Sequence, residues 1–254
     1  MFEALDPDAD PQSEALRAEL LDMILYGARN DARSMQVEIG PSEVGNLCDR
    51  RLAYRMAQIP ECNTETDPWP ATVGTAIHAW LAETVDFWNK THGTNWMTEQ
   101  TIDFPEFGGI GHGDLYKDGV VIDWKTTNSD LLKKYRAVGP PPEYITQVNL
   151  YGLGYRNMGL PVNRVALAFL PRAGWIKNMW VWSAAFDPTV ASEAITRLYE
   201  VASMAVNLRV VEQPERFNEI PATPGDKCGI CPWFNPRRDL GTGATDKGCP
   251  GPGY

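Results

Sequence analysis

Asp114, Asp123 and Lys125 are the residues of this 254-residue chain whose types and spacing carry the most chemistry. They flank Asp118-Gly119, and an Asp-Gly pair between apolar runs is the strongest short-range signal for a two-residue hairpin turn. With that turn, Lys117 faces Val120, and counting outward sets Asp114 opposite Asp123 and His112 opposite Lys125. Directly opposed residues hold their Cβ atoms about 5 Å apart, a spacing at which like charges repel. Two carboxylates there require a shared proton or a bound cation. Oxygen ligands at this density suit Mg²⁺ or Mn²⁺. Lys125 projects to the same side as Asp123, where an ammonium can orient or deprotonate a water and offset charge on a phosphate. Alternation leaves Leu115, Val120, Ile122 and Trp124 on the opposite, apolar face, which is expected to meet the core. The competing reading is an ordinary polar, solvent-facing side of an antiparallel hairpin.

Other residues recur at informative spacings. His78, in VGTAIHAWLAE, follows Gly74 by one turn on the same helical face, and the glycine leaves room for close approach. Gln147 and Tyr151 are four apart and project together from another helical stretch. Cys228-Gly-Ile-Cys231-Pro has the spacing of metal or cluster ligands, Cys249-Pro follows it, and Cys48 lies far upstream. A four-cysteine Zn²⁺ site is the alternative to an iron–sulfur cluster, because spacing does not separate them. Gly108-Gly-Ile-Gly-His-Gly113 lacks dinucleotide-loop spacing and leads into a strand, so its glycines are expected to allow a bend and a close approach. The nine tryptophans are expected to be mostly core, with Trp233 beside Cys231 able to shield a cluster.

These residues need elements to position them. Helical periodicity marks residues 11–30, roughly 43–57 after an N-cap at Ser42, and 71–89, where Val73, Ile77, Leu81, Val85 and Trp88 share one side. Strands are expected near 96–104, 108–117 and 120–126, then a helix at 143–158, strands near 163–170 and 175–185, and a last helix from 188 to 209. The tail from Gln213 is rich in Pro, Gly and Cys and reads as irregular. This is a mixed α/β pattern. It divides into a helical extension (1–40), a core (41–212) and a cysteine-bearing segment (213–254).

The composition, 43% hydrophobic and 22% charged, is that of an ordinary globular protein. No apolar run is long enough to span a bilayer, and the acidic start lacks the features of a secretion signal. A cytoplasmic location is therefore expected, where disulfides are unusual and five cysteines call for another role. A net charge of −10 opposes nucleic-acid binding at long range, although basic clusters at Arg50, Arg51 and Arg55, at Lys133, Lys134 and Arg136, and at Arg237 and Arg238 permit a local path.

Taken together, Asp114 in GHGDLY, Asp123-Trp124-Lys125 in VVIDWKTT, His78 and Gln147-x-x-x-Tyr151 resemble the motifs of the PD-(D/E)XK nuclease superfamily in its RecB-like branch. With the cysteines, the pattern resembles the members carrying an iron–sulfur staple: AddB-type nuclease domains, CRISPR-associated exonucleases and their phage relatives. The resemblance spans about residues 45–250. It implies a restriction-endonuclease-like mixed sheet flanked by helices, with an N-/C-terminal lobe clasped by cysteines. It further implies that His78, Asp114, Asp123 and the Trp124 carbonyl hold Mg²⁺ or Mn²⁺, that Lys125 is catalytic, and that Gln147 and Tyr151 border the active site. Cys48, Cys228, Cys231 and Cys249 are implied as ligands of a 4Fe–4S cluster. The gap before Cys249 is longer than the family shows, which leaves Cys62 as a stand-in. The implied substrate is DNA, single-stranded or at ends, in recombination, repair or phage genome processing, with recombination proteins as candidate partners. A non-catalytic DNA-binding or assembly module with the same fold is the alternative.

Overall fold

Asp118 and Gly119 both take left-handed backbone conformations, φ 49° and 84°, as a type I′ turn requires. They join β2 (Gly109–Lys117) to β3 (Val120–Thr127). The register is the expected one: Lys117 opposite Val120, Tyr116 opposite Val121, Leu115 opposite Ile122. The pairing ends there, and Asp114 and Asp123 are the next positions on the two strands. Beyond them β2 continues along β1 (Met97–Phe104), antiparallel, while β3 runs parallel to β4 (Arg164–Pro171). With β5 (Trp180–Ala185) antiparallel to β4, the sheet has five strands in the order β1-β2-β3-β4-β5.

The computed structural model describes residues 11–30, 39–63, 66–223, 227–236 and 248–252. The acidic first ten residues and the Arg237-Arg238 cluster lie outside them. Helices flank the sheet: α1 (Pro11–Arg29), α2 (Pro41–Gly45), α3 (Asp49–Met56), α4 (Trp69–His92), α5 (Ser129–Val138), α6 (Pro142–Asn157) and α7 (Pro188–Asn207). This is the mixed α/β sheet flanked by helices that the sequence led us to expect.

Several expectations need correction. The helix expected at 43–57 is two, because the Asn46 side chain accepts from the Cys48 backbone N–H at 3.0 Å and turns the chain between them. Gly40, not Ser42, is its N-cap. The α5 helix had not been expected. Its Asn128 cap accepts from Leu131 N at 2.9 Å, and Leu132 and Tyr135 are its buried residues.

A further correction concerns which face meets the core. Tyr116 and Val121, on the carboxylate side, pack with Val165, Leu167 and Phe169 of β4 against Val148, Tyr151 and Tyr155 of α6. Val120, Ile122 and Trp124 are only half-buried. The two-residue period also breaks in β2, where Gly109, Gly111 and Gly113 are buried and then Asp114, Leu115 and Tyr116 in succession. Opposite that break, between the pairs Thr98–Leu115 and Gln100–Gly113, lies Glu99 with φ +48°. A left-handed residue reverses the local alternation of a strand, as a bulge does. Asp114, two residues from Tyr116, lies on the face that α6 covers.

The β2 glycines let that cover come close. A Cβ at Gly111 would meet Tyr151 Cε1 at 2.9 Å and Pro41 Cδ at 2.8 Å, and one at Gly113 would meet the Tyr155 ring. Gly74 is different: its Cβ would lie an ordinary 3.5 Å from Thr126 Oγ1, so no close approach depends on it. Only Trp233 of the nine tryptophans is buried, since Trp69, Trp80 and Trp88 on α4 and Trp175 are exposed and the others half-buried.

A second apolar cluster lies away from the sheet. Leu52, Ala53 and Tyr54 of α3 meet Ala191, Leu198 and Val201 of α7, together with Phe217, Ile220 and Trp233. Among the described residues, no helix is long and apolar enough to cross a membrane.

Candidate active site

The break in the sheet leaves a cavity of about 380 Å³ whose lining includes His78, Asp114, Asp123, Lys125, Gln147 and Tyr151. Asp114 and Asp123 are only 5% and 2% exposed, which disposes of the solvent-facing hairpin. Where β2 and β3 part, the Trp124 N–H has lost its strand partner and donates to Asp114 Oδ2 at 2.7 Å. The other oxygen, Oδ1, lies 3.1 Å from His78 Nδ1. With Nδ1 protonated the ring donates to Asp114, and a cation taking both atoms would displace that proton. Trp124 thus contributes its backbone N–H to the site.

Asp123 sits in a different balance. Its Oδ2 forms an ion pair with Lys125 Nζ at 2.7 Å, without good hydrogen-bond direction. Burial pushes its carboxyl up to about 6; the Lys125 ammonium opposes the shift and the Asp114 charge adds to it. Lys125 also donates to Gln147 Oε1 at 2.8 Å and lies 4.7 Å from the centre of the Tyr144 ring. Gln147 in turn hydrogen-bonds the Tyr151 hydroxyl, whose pKa is held well above its ordinary value by burial first and by the two aspartates second. The four-residue spacing on α6 therefore makes one relay from Tyr151 to the lysine.

Glu99 is the residue that sequence reasoning missed. His78, Glu99 and Asp114 each offer a ligand atom, and those atoms lie within 4.8 Å of one another. Asp123 lines the same cavity but is outside that trio. Glu99 stands opposite Asp114 in the β1–β2 register, between the pairs Thr98–Leu115 and Gln100–Gly113, and its backbone there is left-handed. Such a conformation costs a non-glycine residue about 1–3 kcal/mol and recurs at functional sites. His112 also lines the cavity.

The cysteines gather elsewhere. Cys48, Cys228, Cys231 and Cys249 line a separate cavity of about 60 Å³, with Tyr54 and Trp233 in its wall. Cys62 is not in that lining and sits behind Gly248, where burial raises its thiol pKa and Cys249 adds to the effect. Arg50 ties the parts together: Nε donates to Ile220 O at 2.9 Å, Nη2 to Asn218 O at 2.9 Å, and Nη1 to Gly251 O at 3.3 Å and Cys249 Sγ at 3.5 Å. Tyr54 adds a bond to Gly248 O, and Asn63 one to Cys231 O.

A mixed α/β fold with a buried carboxylate–histidine–lysine cavity and a second, thiol-lined one is the class of protein these features define. No family model matches the chain, and no curated protein matches it. Among solved structures it is similar to an alkaline exonuclease, LHK-Exo, from Laribacter hongkongensis, at 13% identity and a TM-score of 0.48, over 72% of this chain and 95% of that one. A phage-related exonuclease from Haemophilus somnus gives 11% identity and a TM-score of 0.45, over 69% and 96%. LHK-Exo in complex with dAMP gives 16% and 0.39, over 69% and 94%.

Proposed function

We propose that this protein is a divalent-metal-dependent deoxyribonuclease acting as an exonuclease on single-stranded DNA or DNA ends. The observation that carries the reading is the convergence of His78, Asp114, Asp123 and Lys125 on one cavity, with both carboxylates buried. Buried carboxylates beside a histidine and a third acid suit a hard cation, and His78, Glu99 and Asp114 would hold it, with Asp123 beside them. When bound, Mg²⁺ or Mn²⁺ supplies Lewis acidity to the phosphodiester. The protein's own part is positioning. The Trp124 N–H and His78 fix the Asp114 carboxylate, while Gln147 and Asp123 hold the Lys125 ammonium ready to donate to a phosphate oxygen. With its charge at −10, the chain depends on such local cations to bring a polyanion close.

The thiol-lined cavity fits a 4Fe–4S cluster better than one zinc ion. Tetrahedral zinc, with Zn–S bonds of about 2.3 Å, draws its sulfurs to roughly 3.8 Å from each other. Among the described residues no three cysteine sulfurs lie within 4.8 Å of one another. Cys48, Cys228, Cys231 and Cys249 would hold the cluster, which serves as a structural staple between distant parts of the chain.

End-labelled single- and double-stranded DNA, incubated with and without Mn²⁺, tests the nuclease reading. Metal-dependent shortening from an end is expected. DNA binding without cleavage in any metal would replace it with the non-catalytic module.

A further inference from the structure

Beyond the metal-site residues, the cavity holds one cation that the chemistry above does not use. Arg55, on α3, lines it together with Asp114, Asp123 and Lys125. The charge of Lys125 is engaged by Asp123 at 2.7 Å and its proton by Gln147 at 2.8 Å. Glu43, another lining acid, already accepts from Gly40 N and Ser42 Oγ. Arg55 is differently placed. Its nearest paired carboxylate is Glu61 at 3.7 Å, beyond hydrogen-bond reach and 55% exposed. Its Nε is fully buried with no hydrogen-bond partner among the described residues.

An unpaired buried N–H costs about 1–3 kcal/mol, and native structures seldom keep one without a use. The guanidinium is not simply loose: it stacks over the Trp233 ring at 5.2 Å, and Trp233 is fixed by its own bond to Ile59 O at 2.8 Å. A planar fork held on an aromatic face, 20% exposed and lining an acid-lined cavity, suits an anion with paired oxygens. A carboxylate ligand would meet the buried aspartates unaided, whereas a polynucleotide brings several phosphates and needs a cation for those flanking the reacting one.

We propose that Arg55 binds a backbone phosphate of the nucleic-acid strand next to the one cleaved, making it a substrate-binding residue of this site. The proposal rests on the nuclease reading, since it takes its ligand class from there. It also gives the cysteine segment a connection to substrate: Trp233, two residues from Cys231, is the platform on which the guanidinium rests.

Fluorescently labelled single-stranded oligonucleotides, titrated in EDTA over a range of KCl concentrations, test it. Arg55→Gln should weaken binding about tenfold. It should also lower the slope of log K against log salt by about 0.7, the share of one phosphate contact on a single strand. Arg55→Lys should restore the slope and only part of the affinity. Oligonucleotides with a 5′-phosphate or a 5′-hydroxyl separate two sources of the anion. Equal loss on both assigns an internal phosphate, and loss confined to the phosphorylated form assigns the terminal one. Should Arg55→Gln fail to fold, phenylglyoxal labelling of the wild-type chain gives the same answer, because bound oligonucleotide should protect Arg55. Wild-type affinity and slope in Arg55→Gln, or labelling of Arg55 unaffected by oligonucleotide, would overturn the proposal. If the wild-type chain binds but never cleaves, while Arg55→Gln still loses its share of binding, the nuclease reading fails and the phosphate contact stands.

Discussion

Replacing Asp123 by asparagine should make the metal-free protein more stable, and only above a certain pH. The carboxyl is raised from 3.8 to about 6, chiefly by burial, with the Lys125 attraction already included in that balance. A folded state that holds its proton more tightly than the unfolded chain gains stability at low pH and loses it as pH rises through the folded pKa. The loss therefore runs from about pH 4 to about pH 6 and is complete above that. Roughly two pKa units at about 1.4 kcal/mol each give a penalty of about 3 kcal/mol at pH 8. Asparagine has nearly the same shape and cannot ionise, so it escapes the penalty. For a chain of this size the gain corresponds to a Tm rise of about 6–12 °C. Thermal melts of both proteins in EDTA at pH 4.5 and pH 8 measure it. Mn²⁺ should stabilise the wild type at pH 8 more than the variant. A variant with no advantage at pH 8, or with the same advantage at both pH values, would refute the reasoning.

Lys125→Ala should lower cleavage about 10²–10⁴-fold while leaving the fold and much of the DNA binding intact, and cleavage at the wild-type rate would remove the assignment. Glu99→Gln should weaken Mn²⁺ binding by about tenfold in calorimetry, whereas unchanged affinity would take Glu99 out of the ligand set. Anaerobically prepared protein should be brown and contain about four iron atoms per chain. Cys48→Ala, Cys228→Ala, Cys231→Ala and Cys249→Ala should each lose that colour and expose the clasped segments to protease, while Cys62→Ala should change little. One zinc and no iron would eliminate the cluster but keep the clasp.

Most of the site was legible in the sequence because its geometry is local. The Asp118-Gly119 turn dictates the register, and the register puts Asp114 next to Asp123. The spacing of Gln147 and Tyr151 likewise needs only a helix. What was not legible depended on tertiary choices. Counting apolar residues favoured the Ile122 and Trp124 face for the core, but α6 covers the other one, and it can do so because β2 has glycine at 111 and 113. Glu99 was missed because its place opposite Asp114 follows from the β1–β2 register, which no Asp-Gly turn marks in the sequence. The α5 helix was missed although Asn128, Leu132 and Tyr135 stand at capping and core spacings.

The bonds made by Arg50 impose an order on how the chain is built. Its partners at Cys249 and Gly251 lie 199 and 201 residues downstream, and that of Tyr54 lies 194 downstream. At about 5–20 residues per second, a ribosome needs roughly 10–40 s after making α3 to deliver them. During that interval the whole sheet, and with it the carboxylate cavity, has been synthesised, while α3 still lacks the contacts that close over its guanidinium. Arg55 and its Trp233 platform fall on opposite sides of the same delay. A nascent chain thus carries its buried acids long before residues 248–251 reach α3, and on the proposed nuclease reading its full hold on a strand waits for them. Ribosome-stalled chains ending before residue 230 should therefore bind metal but hold single-stranded DNA more weakly than released protein.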